Sequence, residues 1–173
     1  TDRIALRVVG FYKRDAGWID NVPGTRCFLP QPGGICVNNN DFVEEDYNET
    51  ETIGARAALG IELNDSWTVT PSVMYQSTNS NGMYAYDPSV GDLQVQHFAP
   101  EFRGDKFIQA ALTIEGKIGS WDLTYSAAYL DRKTNSSSDY TDYSEAYDQL
   151  YSYYGGLAGY FYFQDNLGNT IDP

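Results

Sequence analysis

Tyr140, Asp142, Tyr143 and Tyr147 crowd into the stretch SDYTDYSEAYDQLYSYYGGLAGYFYF. Phenol rings stack on sugars or aromatic chelates, and carboxylates accept hydrogen bonds from ligand hydroxyls, so this loop has the chemistry of a small-molecule contact. The same rings packed on one another would close a loop mouth without touching any ligand, and both readings stay open. Glu44, Glu45 and Asp46, like Asp139, Asp142 and Asp148, could supply oxygen ligands to calcium. They lack EF-hand spacing and its turn glycine, and solvated loops are the expectation. His97, in VQHFAPEF, is the single histidine. Without a second histidine or a Ser or Cys partner motif, it supports neither a catalytic triad nor a histidine metal cluster, and an ordinary loop residue is expected. Glu62 and Glu115 invite a paired-carboxylate reading for glycoside hydrolysis. They hold matching positions in two similar hairpins, which suggests wall residues facing water instead. The expectation is a protein that is not an enzyme and holds no cofactor or metal.

Cys27 and Cys36 are the only cysteines. Their spacing is too wide for a zinc knuckle and no histidine lies near, so a loop disulfide in an oxidising compartment is expected. The chain has 173 residues, a net charge of -13 and 15 tyrosines. That acidic balance, with basic residues only in isolated pairs such as Lys13-Arg14 and Arg132-Lys133, leaves no stripe to displace counterions from phosphate, and nucleic acid is excluded as a partner. Mean hydropathy is -0.46, and no apolar run reaches the length of a membrane-spanning helix. A membrane β-barrel is not excluded, because its strands show lipid only every second residue.

The elements that would position these groups follow a period of two. Ile4, Leu6, Val8, Gly10 and Tyr12 alternate with Arg3, Ala5, Arg7, Val9, Phe11 and Lys13, which is a strand with one greasy and one charged side. From Thr52 to Leu63 the residues Ile53, Ala55, Ala57, Leu59, Ile61 and Leu63 share a face, and after the turn signal Asn64-Asp65-Ser66 the face continues in Trp67, Val69, Pro71, Val73 and Tyr75. A second hairpin repeats the pattern, with Ile108, Ala110, Leu112, Ile114, Gly116 and Ile118 before the Gly119-Ser120 turn and Trp121, Leu123, Tyr125, Ala127 and Tyr129 after it. Five strands result. Pro71 forfeits a ladder hydrogen bond, so a bulge or a missing bond is expected there.

The turns at Asn64 and Gly119 are tight, whereas Asp15 to Glu49, Ser77 to Asp105 and Asp131 onward are long. In an up-and-down meander this places every long loop at one end and every short turn at the other, as in outer-membrane barrels with extracellular loops and periplasmic turns. Trp67 and Tyr75 stand about 26 Å apart along a strand, or about 20 Å along the membrane normal after a tilt of about 40°. Trp121 and Tyr129 repeat the interval. With Tyr12 they are expected to mark the two membrane interfaces, leaving the greasy face to lipid. The fold class expected is therefore all-β: part of the wall of an antiparallel up-and-down transmembrane β-barrel, about five strands with long extracellular loops.

The stretches RVVGFYKRDAGWIDNVPGTR, AALGIELNDSWTVTPSVMYQ, AALTIEGKIGSWDLTYSAAYLDRK and SDYTDYS resemble the middle of the barrel of a TonB-dependent outer-membrane receptor of the proteobacterial kind. The resemblance spans all five strands and implies an outer-membrane location, a large closed barrel with an N-terminal plug, and uptake of a scarce ligand such as a ferric siderophore, cobalamin or a glycan. It also implies a partner, the energy-transducing protein TonB, engaged through an N-terminal region; neither that motif nor a plug is visible in these residues. Residues 1–173 are accordingly expected to be a partial barrel domain. Two other readings remain: a passive porin-like channel with the same wall, and a secreted glycan-binding β-sandwich whose greasy face packs on a second sheet.

Overall fold

The computed structural model describes residues 3–28 and 35–153. Along the chain lie β1 (Ile4–Asp15), β2 (Asp20–Asn21), β3 (Thr25–Phe28), β4 (Ile35–Asn38), β5 (Thr50–Asn64), β6 (Trp67–Asn81), β7 (Gln94–Val95), β8 (Phe102–Ile118), β9 (Trp121–Ser137) and α1 (Thr141–Tyr153). The described residues form two compact units. The first draws on 3–15, 50–80 and 103–135, and the second on 16–28, 35–49, 81–102 and 136–153. The chain is all-β in class, with one α-helix among the described residues.

The first unit is a five-stranded sheet in the order β1-β5-β6-β8-β9, a meander in which each long strand pairs with the next. β1 and β5 run antiparallel, with Ile4 opposite Ile61, Leu6 opposite Leu59, Val8 opposite Ala57 and Tyr12 opposite Ile53. β5 and β6 continue the match, with Ala57 opposite Val73 and Ala55 opposite Tyr75. A slip of one residue would send every apolar side chain to the other face, so this register is what the alternation specifies. Gly119 sits at φ 64° in the tight β8–β9 turn, a left-handed conformation open to glycine at little steric cost.

Pro71 lies in a gap of the ladder. Ala58 pairs with Ser72 and Ile61 with Val69, with the register unchanged across the interruption. The irregularity in register comes nearer the turn, between Glu62 and Asn64. A missing donor thus leaves a gap in the pairing and needs no extra residue.

Two glycines admit aromatic rings from adjacent strands. A side chain at Gly54 would collide with the ring of Phe11, and one at Gly116 with the indole of Trp67. Each ring covers the bare backbone of its neighbour, the first on the charged face and the second on the apolar face.

Three segments expected to be irregular connections carry more structure than their composition suggests. β6 runs on to Asn81, β8 starts at Phe102 and β9 extends to Ser137. These strand ends lack apolar alternation, and polar cross-strand pairs serve instead: between β5 and β6 the Thr50 hydroxyl donates to Ser80 Oγ at 2.9 Å and Thr52 meets Thr78 at 3.1 Å, and between β8 and β9 Arg132 donates to Asp105.

The connections form the second unit. β3 and β4 make a small antiparallel pair, and β2 and β7 a two-residue parallel one. Ile19, Tyr47, Val95 and Phe98 are its buried apolar side chains. Asn21, Asn39, Asn48, Glu101 and Thr141 are buried beside them, so hydrogen bonding shares the work of holding this core.

Candidate functional site

The apolar face of the sheet gathers the aromatic residues expected at membrane interfaces. Trp121 is 78% exposed, Tyr129 69%, Tyr12 63% and Tyr75 44%; Trp67 is half-buried, over Gly116. Ile4, Leu6, Val8, Ile53, Val73, Ile108, Leu123 and Tyr125 are exposed on the same face. An apolar surface continued across five strands is far more than the scattered hydrophobic residues of an ordinary protein surface. Charge on this face is confined to one end. Arg14, Glu51, Lys106, Asp131 and Lys133 are its charged strand residues, and all stand towards the long connections. Tyr12 turns its hydroxyl to the same end and donates to Glu51 Oε1 at 2.9 Å.

The opposite face is mainly polar and ionic, with Val9, Phe11 and Leu130 exposed among its charges. Arg132 grips Asp105 through two nitrogens, Nε lying 2.9 Å from Oδ1, the fork geometry that makes arginine-carboxylate pairs specific. Glu62 and Glu115 are exposed here and border a recess of about 400 Å³ together with Thr68, Lys117 and Asp122. β6 runs between their strands, so the two carboxylates do not form a close pair.

Within the Tyr-rich segment, whose remainder from residue 154 lies outside the described residues, Thr141–Tyr153 is a helix where a loop was expected. Asp139 sets its start, its Oδ1 accepting from the Thr141 amide at 2.8 Å and the Thr141 hydroxyl at 2.6 Å, while the Ser144 amide donates to the Tyr140 carbonyl. The tyrosines recur at intervals of three and four, which places them on one side of a helix. Tyr143 packs against Tyr147 with centroids 4.5 Å apart and meets Tyr140 edge-on at 6.1 Å. Tyr140 and Tyr143 stay exposed; a hydrogen bond with Tyr147 holds the Tyr143 phenol above its ordinary pKa. Asp142 is engaged by Arg26, whose Nε lies 3.0 Å from Asp142 Oδ1 and 3.2 Å from Glu145 Oε2. Arg26 also donates to Gln96 at 3.1 Å and covers the Phe98 ring. The side chain of Asp148 lies outside the described residues. Beside Arg26, Cys27 faces Cys36 across β3 and β4, and the two form a disulfide.

His97 is the residue whose surroundings differ most from the expected open loop. Its Nδ1 lies 2.5 Å from Glu101 Oε2, a carboxylate 2% exposed, and its ring meets Tyr47 edge-on. Burial opposes protonation of the imidazole, but the Glu101 hydrogen bond and charge, with Asp139 and Asp142 behind them, outweigh it and raise its pKa. Burial also pushes the Tyr47 phenol up to about 12. Glu101 Oε1 accepts from the Asp139 amide at 3.1 Å, and Asp139 Oδ2 accepts from the Phe98 amide at 2.6 Å. Asn21 completes the lattice: its amide donates to the carbonyls of Phe42 and His97, and its Oδ1 accepts from the His97 amide. Asn21, Tyr47, His97 and Glu101 border a cavity of about 350 Å³ that Asp41 and Glu44 also line. Tyr47, Glu101 and Arg26 carry no local motif, and only their meeting in space distinguishes them.

Glu44 is tied through its backbone to Asn21, and the Asp46 amide donates to Asp20. Among the described residues no group of three or more His, Cys, Asp or Glu side chains is placed to hold a metal ion. No helix among them is long and apolar enough to cross a membrane, which says nothing of strands. No protein-family model matches the chain, nor does any curated protein or solved structure.

Proposed function

We propose that this chain supplies adjacent wall strands of an outer-membrane β-barrel receptor of the TonB-dependent kind, with its apolar face in lipid and its ionic face towards a wet lumen. The single observation carrying this reading is the face that runs uncovered across all five strands of the sheet, with aromatic residues towards both of its ends. In water such a face is a liability, whereas in a bilayer it is the half of a barrel wall that lipid requires. A sheet with two open edges must be completed by further strands, since unpaired backbone groups are not tolerated in hydrocarbon. The long connections then lie outside the membrane, where Tyr140 and Tyr143 offer exposed rings to an incoming siderophore, cobalamin or glycan. TonB would act through an N-terminal region of the complete receptor.

The membrane part is tested with single-tryptophan variants in vesicles of brominated phosphatidylcholine. Quenching of Trp67 and Trp121 with Trp18 spared is the expected result. A folded monomer indifferent to lipid would sink the reading and favour a sandwich. The receptor part is tested in cells producing the protein: uptake through a TonB-driven receptor stops when the inner membrane is de-energised, whereas uptake through a passive pore continues.

A further inference from the structure

Lys106 in β8 and Lys133 in β9 both stand on the apolar face, at the end where its charges are confined. Thr113 meets Ser126 across the same hairpin at 3.4 Å, and Gly104 lies against Asn135. Counting along both strands from either contact sets Lys106 directly opposite Lys133. Like charges facing one another across a strand pair destabilise a sheet. Neither lysine has an ion-pair partner among the described residues. Both border a recess of about 150 Å³ with Tyr75, Phe107, Ile108 and Asp131. Asp131 offsets one of the two cations, so the recess keeps one net positive charge.

We propose that this recess seats the phosphate of a membrane lipid, with Lys106 and Lys133 as its cationic jaws and Tyr75 at the boundary with the acyl chains. The proposal rests on the wall reading above. Charge complementarity identifies the occupant, because in a chain of net charge -13 the recess is a locally positive spot. Its setting selects a lipid over a free anion. The cations rise from the edge of an apolar surface, so one molecule with a phosphate head and hydrocarbon tails satisfies both at once, whereas inorganic phosphate would leave the neighbouring Tyr75 and Ile108 in water. A phosphate between the lysines also removes their repulsion.

The test compares the full chain on vesicles of phosphatidylcholine and on vesicles of phosphatidylcholine and phosphatidic acid in equal parts, with Trp121 quenching by brominated acyl chains read in both. Phosphatidic acid should tighten partitioning, and Lys106→Gln and Lys133→Gln should each remove about fivefold of that gain. Lys13→Gln, on the opposite face, should leave the gain intact, and inorganic phosphate should not displace the protein. No gain from phosphatidic acid, or an equal loss with Lys13→Gln, overturns the lipid seat while Trp121 quenching keeps the wall reading. Displacement by inorganic phosphate would make this a free-anion site and overturn it too. Absence of quenching in every vesicle, from a chain that stays a folded monomer, would reject the wall reading, and the seat with it.

Discussion

At the scale of single residues, His97 holds the second unit to a pH range. Its raised pKa means that the folded state binds a proton more tightly than the unfolded chain, whose imidazole titrates near about 6.5. The stabilisation from the His97–Glu101 pair is therefore complete below that ordinary value and is lost as pH rises through the raised one. Urea titrations followed by Trp18 fluorescence should show the unit weakening over that window, and His97→Gln should flatten the slope. Glu101→Gln should lower stability by about 1.5–3 kcal/mol at acid pH, the usual worth of a hydrogen bond to a charged group. An unaltered midpoint in Glu101→Gln would show that the buried carboxylate does not organise this core. Arg26 makes a parallel case. It bridges β3 to Asp142 and Glu145 of α1, so Arg26→Ala should speed amide exchange throughout the helix and leave the five-stranded sheet unchanged.

Individual elements respond to different perturbations. The Cys27–Cys36 bond closes a short β3–β4 connection, and in the chain-entropy model its loss costs about 2–3 kcal/mol. The double variant Cys27→Ser, Cys36→Ser should show that drop in the second unit by chemical denaturation, while wild type under reductant matches the variant. Across β1 and β5, Phe11 and Gly54 should behave as one unit. Phe11→Ala and Gly54→Ala are each expected to destabilise the sheet, and the cycle should reveal a coupling of about 0.5–1 kcal/mol, since either change alone already breaks the same contact. The five strands and the apolar face were legible because period two is written into every strand from Ile4 to Tyr129. Helix α1 was not, because its tyrosines at three- and four-residue spacing sit among Ser and Asp, which favour turns as readily as helix. The strand ends beyond Tyr75 and Tyr129 were hidden for a related reason. They are polar on both faces, and what prolongs them is cross-strand pairing such as Thr52 with Thr78. The site around His97 was out of reach of sequence, because Tyr47, His97, Glu101 and Asp139 become neighbours only after distant segments meet.

For the molecule as a whole, an apolar face open across five strands predicts behaviour before any ligand is known. Without detergent or lipid the chain should self-associate, and sedimentation should show one small species only when micelles cover that face; a monodisperse detergent-free monomer would contradict this. The stitching of the second unit has a consequence in time. Asn21 holds His97 from 76 residues away, and Asp139 holds Phe98 across 41, so the contacts that join the segments of that polar core cannot form locally, although His97–Glu101 and Asp139–Thr141 can. The β5–β6 and β8–β9 hairpins need only their own tight turns. Loop-closure entropy then orders the events, hairpins first and the amide lattice last, because distant partners become affordable only once the meander has gathered the three connections. Substitutions at Asn21 or Asp139 should accordingly speed unfolding while leaving the folding rate nearly untouched.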